Sequence, residues 1–235
     1  MPELTLLLGI DTCGPTGSVA LGRLDRSVPG GGVEILGQIE LAGRSYSATL
    51  VAAVGELLKR EGVELRELGG MVAVNGPGSF TGVRVGLSAV KGLAEGTRIP
   101  VVAVSRLEVL AWKAGATAAA LDAHRSEVFL RVDGPGPGTE TRELLAGAHE
   151  LADLSPPPVR IAVCDDAAQM LLGSVWPAAE LVRILAPAAA DALQLCAGRV
   201  ATGEFVDLAL LDGHYLRRSD AEIFGEAATA EPQGA

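Results

Sequence analysis

Aromatic residues are scarce in this chain of 235 residues, at 3% of the total. A core of the size such a length requires must therefore be aliphatic, made of Val, Leu, Ile and Ala. Histidine is rarer still, and His124, His149 and His214 stand too far apart for a His-x-His or His-x-x-x-His pair, so no metal site is expected. Cys13, Cys164 and Cys196 are odd in number and form no Cys-x-x-Cys, which favours reduced thiols over a disulfide framework. The first residues lack the basic stretch of a secretory signal, and no apolar run is long enough to span a bilayer. A cytoplasmic protein with no membrane association is expected. Basic charge is also in deficit: 19 Lys and Arg face 29 Asp and Glu, a formal net charge of −10. Such a chain is not expected to grip a nucleic-acid backbone alone, because that task needs basic stripes.

What is present is a regular alternation. Apolar runs predict strands over 4–10, 18–24 and 33–41, with a glycine-rich loop at 25–32. Leu50, Val51, Val54, Leu57 and Leu58 recur at helical spacing and predict a helix over 45–59, stopped by Gly62. A strand over 71–74, a helix over 82–95 and a strand over 99–104 follow. The second half opens with a helix over 106–113 and then repeats the start: a strand over 117–121 ending at Asp122, a tight turn, and a strand over 127–132. A strand at 159–163, a helix at 167–172, a strand at 181–185 and a helix at 188–201 complete it. Strands alternating with helices imply an α/β architecture with largely parallel sheets. The recurrence predicts two related subdomains, 1–104 and 105–224, with a disordered tail over 225–235. This order matches the actin, sugar-kinase and Hsp70 class.

The densest segment is Val72 to Gly92, where a strand runs through Asn75-Gly-Pro-Gly-Ser-Phe-Thr-Gly82 into a helix. Two readings compete: a phosphate cradle, or a tight turn that launches a contact helix. The P-loop ending Gly-Lys-Ser/Thr is absent, since Val83 and Arg84 follow Gly82. The dinucleotide pattern fails too, because Gly82 comes one residue late after Gly76 and Gly78. Gly82, Gly86 and Val90 fall on one face, widened by Val83 and Leu87, and small residues there permit close approach of another element. Asp11 and Asp122 end predicted strands, where open α/β sheets place ligand groups; Asp11 could equally cap its own turn, and for Asp122 capping is the favoured reading. No nucleophile has a base nearby in sequence, and no catalytic constellation emerges.

Gly76-Pro-Gly-Ser-Phe-Thr-Gly-Val-Arg-Val-Gly86 closely resembles the most distinctive segment of the bacterial TsaB (YeaZ) family. The resemblance extends to Ile10-Asp-Thr12, Ser18-Val-Ala-Leu21, Val104-Ser-Arg-Leu107, Leu121-Asp-Ala123, Glu127-Val-Phe129 and Tyr215-Leu-Arg217. It implies an actin-like (ASKHA) fold without chemistry of its own, similar to a degenerate paralogue of TsaD, the subunit that transfers a threonylcarbamoyl group to the adenosine beside the tRNA anticodon. TsaD carries a metal-binding His pair on the helix after its glycine turn, and the matching helix over 82–95 has no His. The resemblance further implies an accessory subunit, not an enzyme. Its partners would be a TsaD-type transferase and a TsaE-type ATPase, or a second copy when alone, with tRNA reached only indirectly. ATP and magnesium would sit at the partner. Partner contact would fall on the helices over 45–59 and 82–95, through Tyr46, Leu50, Gly82, Val83, Gly86, Leu87 and Val90. Any nucleotide in this chain's own cleft would be met by Asp11, Gly76 and Gly78. Two departures stand out: Tyr46-Ser47 where the family usually has His-Ser, and His214 where it usually has Pro. An autonomous ATPase or phosphotransferase using Asp11 is the alternative, and a metallopeptidase-like protein a more distant one.

Overall fold

The computed structural model describes residues 4–42, 45–134 and 140–217, and the expected tail over 225–235 lies outside them. β1 (Leu4–Asp11) and β2 (Thr16–Asp25) form an antiparallel hairpin, extended by β3 (Gly32–Ala42). α1 (Tyr46–Arg60) then crosses to β4 (Leu68–Val74), which pairs parallel with β1, and α2 (Phe80–Thr97) crosses to β5 (Val101–Val104), parallel to β4. The sheet order is β3-β2-β1-β4-β5. β1 is apolar on both faces because both are covered, as in other parallel-type central strands.

α3 (Arg106–Ala114) leads into a second sheet of β6 (Ala118–Asp122), β7 (Glu127–Val132), β8 (Arg142–Gly147), β9 (Arg160–Val163) and β10 (Glu180–Arg183), with α4 (Ala148–Ala152) and α5 (Asp166–Val175) in the crossovers. Its order, β10-β9-β6-β7-β8, is the first sheet's order read from the other end. The duplication expected from sequence is therefore present strand for strand. Two mixed five-stranded sheets flanked by helices form an actin-like architecture.

Three departures from the expected list appear. β8 and α4 were not anticipated, since Arg142-Glu-Leu-Leu-Ala-Gly147 is short and carries charge at its start. The helix expected over 188–201 is broken at Cys196 into α6 (Ala189–Leu195) and α7 (Ala197–Thr202). These last helices also change company. Ala189, Ala192, Leu193, Cys196, Ala197 and Val200 join the core of the first sheet, not the second. Methyl groups placed at Gly9 and Gly22 would strike Leu193, while one at Gly17 would strike the Tyr46 ring of α1. The first sheet is thus sandwiched, with α1 and α2 on one face and α6 and α7 on the other. α3 packs on the second sheet through Leu107, Leu110 and Ala111. The first lobe is therefore completed by chain beyond a single cut at 104. Among the described residues no helix is long and apolar enough to cross a membrane.

Candidate functional site

The glycine-rich turn after β4 closes onto the turn between β1 and β2. Ser79 N donates to the Cys13 carbonyl at 2.8 Å, and Ser79 Oγ accepts from Gly82 N at 3.2 Å, capping α2. Thr12 Oγ1 donates to the Gly82 carbonyl at 2.7 Å. A methyl group at Gly78 would lie 2.2 Å from the Cys13 oxygen, one at Gly82 2.1 Å from the Thr12 oxygen, and one at Gly86 2.3 Å from Thr12 Oγ1. These glycines let α2 lie directly on backbone of the same chain. Gly76 adopts φ +110°, a conformation that favours glycine, and its carbonyl accepts from Arg106 N at 2.7 Å.

Asp11 sits beneath this junction, buried. Its Oδ1 accepts from Cys13 N at 2.8 Å and its Oδ2 from Arg106 Nε at 3.4 Å. The Arg106 guanidinium lies flat against Gly14, where a methyl group would come within 2.2 Å of Nη2. Burial pulls the Arg106 pKa down, but Asp11 and its neighbours outweigh burial and raise it, so the cation persists. Burial, then Asp11, pushes the Cys13 thiol well up, so it is a neutral core group whose Sγ donates to the Val74 carbonyl. Asp11 therefore has both oxygens engaged by its own chain, and the amide of Ser79 is used. An arginine fills the space above the β1–β2 turn. The cradle of Asp11, Gly76 and Gly78 does not fit a magnesium–phosphate group. Asp122 in the second hairpin caps its own turn, accepting from His124 N at 2.7 Å. Among the described residues no three His, Cys, Asp or Glu gather as a metal site would require.

The residues expected to meet a partner point the other way. Tyr46, Leu50, Gly82, Val83, Gly86, Leu87 and Val90 are all buried against the first sheet and its turns. Tyr46 Oη donates to the Gly14 carbonyl at 2.7 Å, and burial, then Asp11, pushes its pKa to about 12. Within this chain that apolar face is covered by the first sheet and its turns. The outward faces of the same helices hold Ala48, Val51, Ala52 and Gly55 on α1, and Gly92 and Gly96 on α2, with Val85 and Ala89 beside them half-buried against the core. Val51 is 62% exposed. Methyl groups at Gly55, Gly92 and Gly96 would meet nothing.

The family model of TsaD, tRNA N6-adenosine threonylcarbamoyltransferase, matches residues 35–136, the stretch holding α1, α2 and the start of the second lobe. The tRNA threonylcarbamoyladenosine biosynthesis protein TsaB of Escherichia coli is 36% identical over 129 residues, 52% of each chain. That of Bacillus subtilis is 35% identical over 127 residues, again 52% of each. The YeaZ structure from Pseudomonas aeruginosa superposes with a TM-score of 0.68 at 28% identity, covering 90% of this chain and all of that one. In sequence over about half its length, and in fold over nearly all of it, the chain is similar to TsaB/YeaZ proteins. The match spans about half the length of the curated relatives, while the solved YeaZ chain is covered end to end.

Two features of the site escaped sequence reading. Arg106 carried no signal beyond its place in Val104-Ser-Arg-Leu107, and its role needs the sheet order β1-β4-β5, which sets the residues after β5 near the end of β1. The exposed stripe was in principle legible, since Gly55, Gly92 and Gly96 interrupt good helix formers.

Proposed function

We propose that this chain is a non-catalytic accessory subunit in threonylcarbamoyladenosine synthesis on tRNA, binding a TsaD-type transferase through the outward faces of α1 and α2. The observation that carries the reading is the glycines with nothing around them. Glycine inside an exposed helix costs about 1 kcal/mol relative to alanine. Gly55 and Gly92 sit inside α1 and α2 with open space where a side chain would go. No neighbour in this chain explains them; close approach of a second chain's helices does. The apolar Val51 and Val85 flanking them supply the area that such a contact would bury.

Supporting the absence of catalysis, Asp11 accepts from Cys13 N and Arg106 Nε, and the Arg106 side chain occupies the space beside it that a phosphate would need. A TsaE-type ATPase would join the assembly through the transferase, and a second copy of this chain would occupy the same face when the transferase is missing. The test is gel filtration of the chain with a TsaD-type transferase, followed by reconstitution of tRNA modification. Gly92→Arg and Val51→Glu should abolish co-elution and modification while leaving the fold intact by circular dichroism. Co-elution of both variants at wild-type level would overturn the assigned face, and full modification without this chain would overturn the role.

A further inference from the structure

Two of the segments that carry the family resemblance, the start of α2 and Tyr215-Leu-Arg217, meet at a place the pairing face does not use. They line an open cleft of about 410 Å³ in which Phe80, Arg84 and Lys91 face Asp212, Tyr215 and Arg217. The Phe80 and Tyr215 rings stand 5.1 Å apart at 45°, and the Arg84 guanidinium carbon lies 3.8 Å over the Phe80 ring. Gly213 runs so close beneath the Tyr215 ring that a methyl group there would fall within 2.5 Å of it, which fixes the ring's position. Both rings remain more than a third exposed.

The charges are as telling. Most described Arg and Lys side chains are paired with acids, and Arg217 is held by Glu127. Arg84 and Lys91 have no carboxylate partner among the described residues, although the chain carries a net charge of −10. Asp212 is the one carboxylate of the lining, and its Oδ1 accepts from Gly213 N at 2.7 Å. Unpaired cations beside exposed ring faces suit a phosphate joined to a base. A magnesium-bound nucleotide would want carboxylates for its metal, and the single one here is engaged. An acidic peptide would satisfy the cations and leave both rings bare.

We propose that this cleft takes one unpaired nucleotide of an RNA strand, its phosphates on Arg84 and Lys91 and its base against Tyr215 and Phe80. The choice of RNA rests on the tRNA-modification reading above. Overall acidity does not oppose it, because Arg84 and Lys91, with the paired Arg217 beside them, make a local site and not a track. Arg84 and Lys91 lie about 10 Å apart along α2, from a rise of 1.5 Å per residue, so they reach neighbouring phosphates.

The experiment is fluorescence anisotropy of the full chain with a labelled single-stranded RNA of about ten nucleotides, alone and in complex with the transferase. With two or three phosphates neutralised, log affinity should fall against log salt with a slope of about −1.4 to −2. Arg84→Glu with Lys91→Glu should weaken binding at least about tenfold, equivalent to 1.4 kcal/mol. Tyr215→Ala should weaken it roughly 5- to 150-fold and Tyr215→Phe hardly at all. Magnesium-ATP and a polyglutamate peptide should not compete at RNA-equivalent concentrations. Absence of binding at low salt, binding indifferent to the charge reversals, or displacement by ATP or polyglutamate would each overturn the proposal. The pairing reading fails separately: charge-reversed variants that still co-elute with the transferase but lose RNA support both, whereas RNA binding without co-elution leaves only the cleft.

Discussion

The two kinds of glycine on α2 should respond to alanine with opposite signs. At Gly92 a methyl group meets nothing, so Gly92→Ala gains helix propensity alone, about 1 kcal/mol. At Gly82 the methyl group would lie 2.1 Å from the Thr12 carbonyl oxygen. That oxygen is backbone in the turn between β1 and β2, and it cannot rotate aside as a side-chain tip would. Overpacking costs typically 1–3 kcal/mol, and a backbone contact this short belongs at the upper end. Subtracting the same helix gain leaves a net loss of about 2 kcal/mol. Unfolding entropy of about 2.1 cal/mol/K per residue converts 1 kcal/mol to about 2 °C for a chain of this size. Gly92→Ala should thus raise Tm by about 2 °C and Gly82→Ala lower it by about 4 °C. Differential scanning calorimetry on dilute, unpaired chain measures both. A third readout joins stability to function: Gly92→Ala, the stabilised variant, should pair less well with the transferase, because its added methyl group stands in the contact. Shifts of the same sign at the two positions would refute the division into inward and outward glycines.

Asp11→Asn should cost about 3–5 kcal/mol in urea unfolding, because Arg106 is left as a buried charge without its partner. Replacing both, as Asp11→Asn with Arg106→Met, should recover part of that loss, and a strictly additive double mutant would refute the coupling. Tyr46→Phe should cost about 1 kcal/mol by orphaning the Gly14 carbonyl, yet leave pairing untouched, since the ring is buried; a pairing defect would restore Tyr46 to the interface. Glu143 concerns pH. Burial pushes its pKa up, but hydrogen bonds from His214, Arg131 and Ser105 outweigh burial and hold it below the usual carboxylate value. A depressed folded pKa means stability that is present above the unfolded value, near 4.3, and is lost as pH falls through the folded one. Unfolding free energy should therefore decline below about pH 4.5 less steeply in Glu143→Gln than in the parent, and identical slopes would contradict the network.

The architecture could be read from the chain because both of its signals are local. Apolar periodicity marks strands and helices, and the recurrence of strand, Asp, turn and strand marks the duplication. β8 escaped because Arg142–Gly147 is an edge strand, half exposed, and such strands carry little pattern. α6 and α7 read as helix, but nothing in 189–202 states which sheet they cover. That depends on Gly9 and Gly22 leaving room for Leu193, a relation across more than 170 residues. What the small-residue face of α2 meets was hidden for a related reason. Helical spacing shows that Gly82, Gly86 and Val90 share a face, and says nothing of what the face meets. Small residues permit close approach to any backbone, and here the nearest was the chain's own β1–β2 turn.

The same geometry bears on the accessory role proposed for this chain. In a duplicated fold of this kind, the two hairpin turns are where strand-end carboxylates would present themselves to a ligand. Asp122 is turned back onto His124 N, and Asp11 is bound between Cys13 N and Arg106. Arg106 is supplied by the first turn of α3, the element that links the two lobes. One side chain therefore neutralises the buried carboxylate, covers Gly14, and through its backbone amide pins the glycine turn at Gly76. Each role suits a rigid platform, and together they occupy the space a phosphate would need. If so, Arg106→Ala should open that space without creating catalysis: the variant should lose stability and gain weak affinity for inorganic phosphate by calorimetry, but show no ATP turnover. ATP hydrolysis in that variant would mean that a single plug hides a working site, and the accessory role would have to be abandoned.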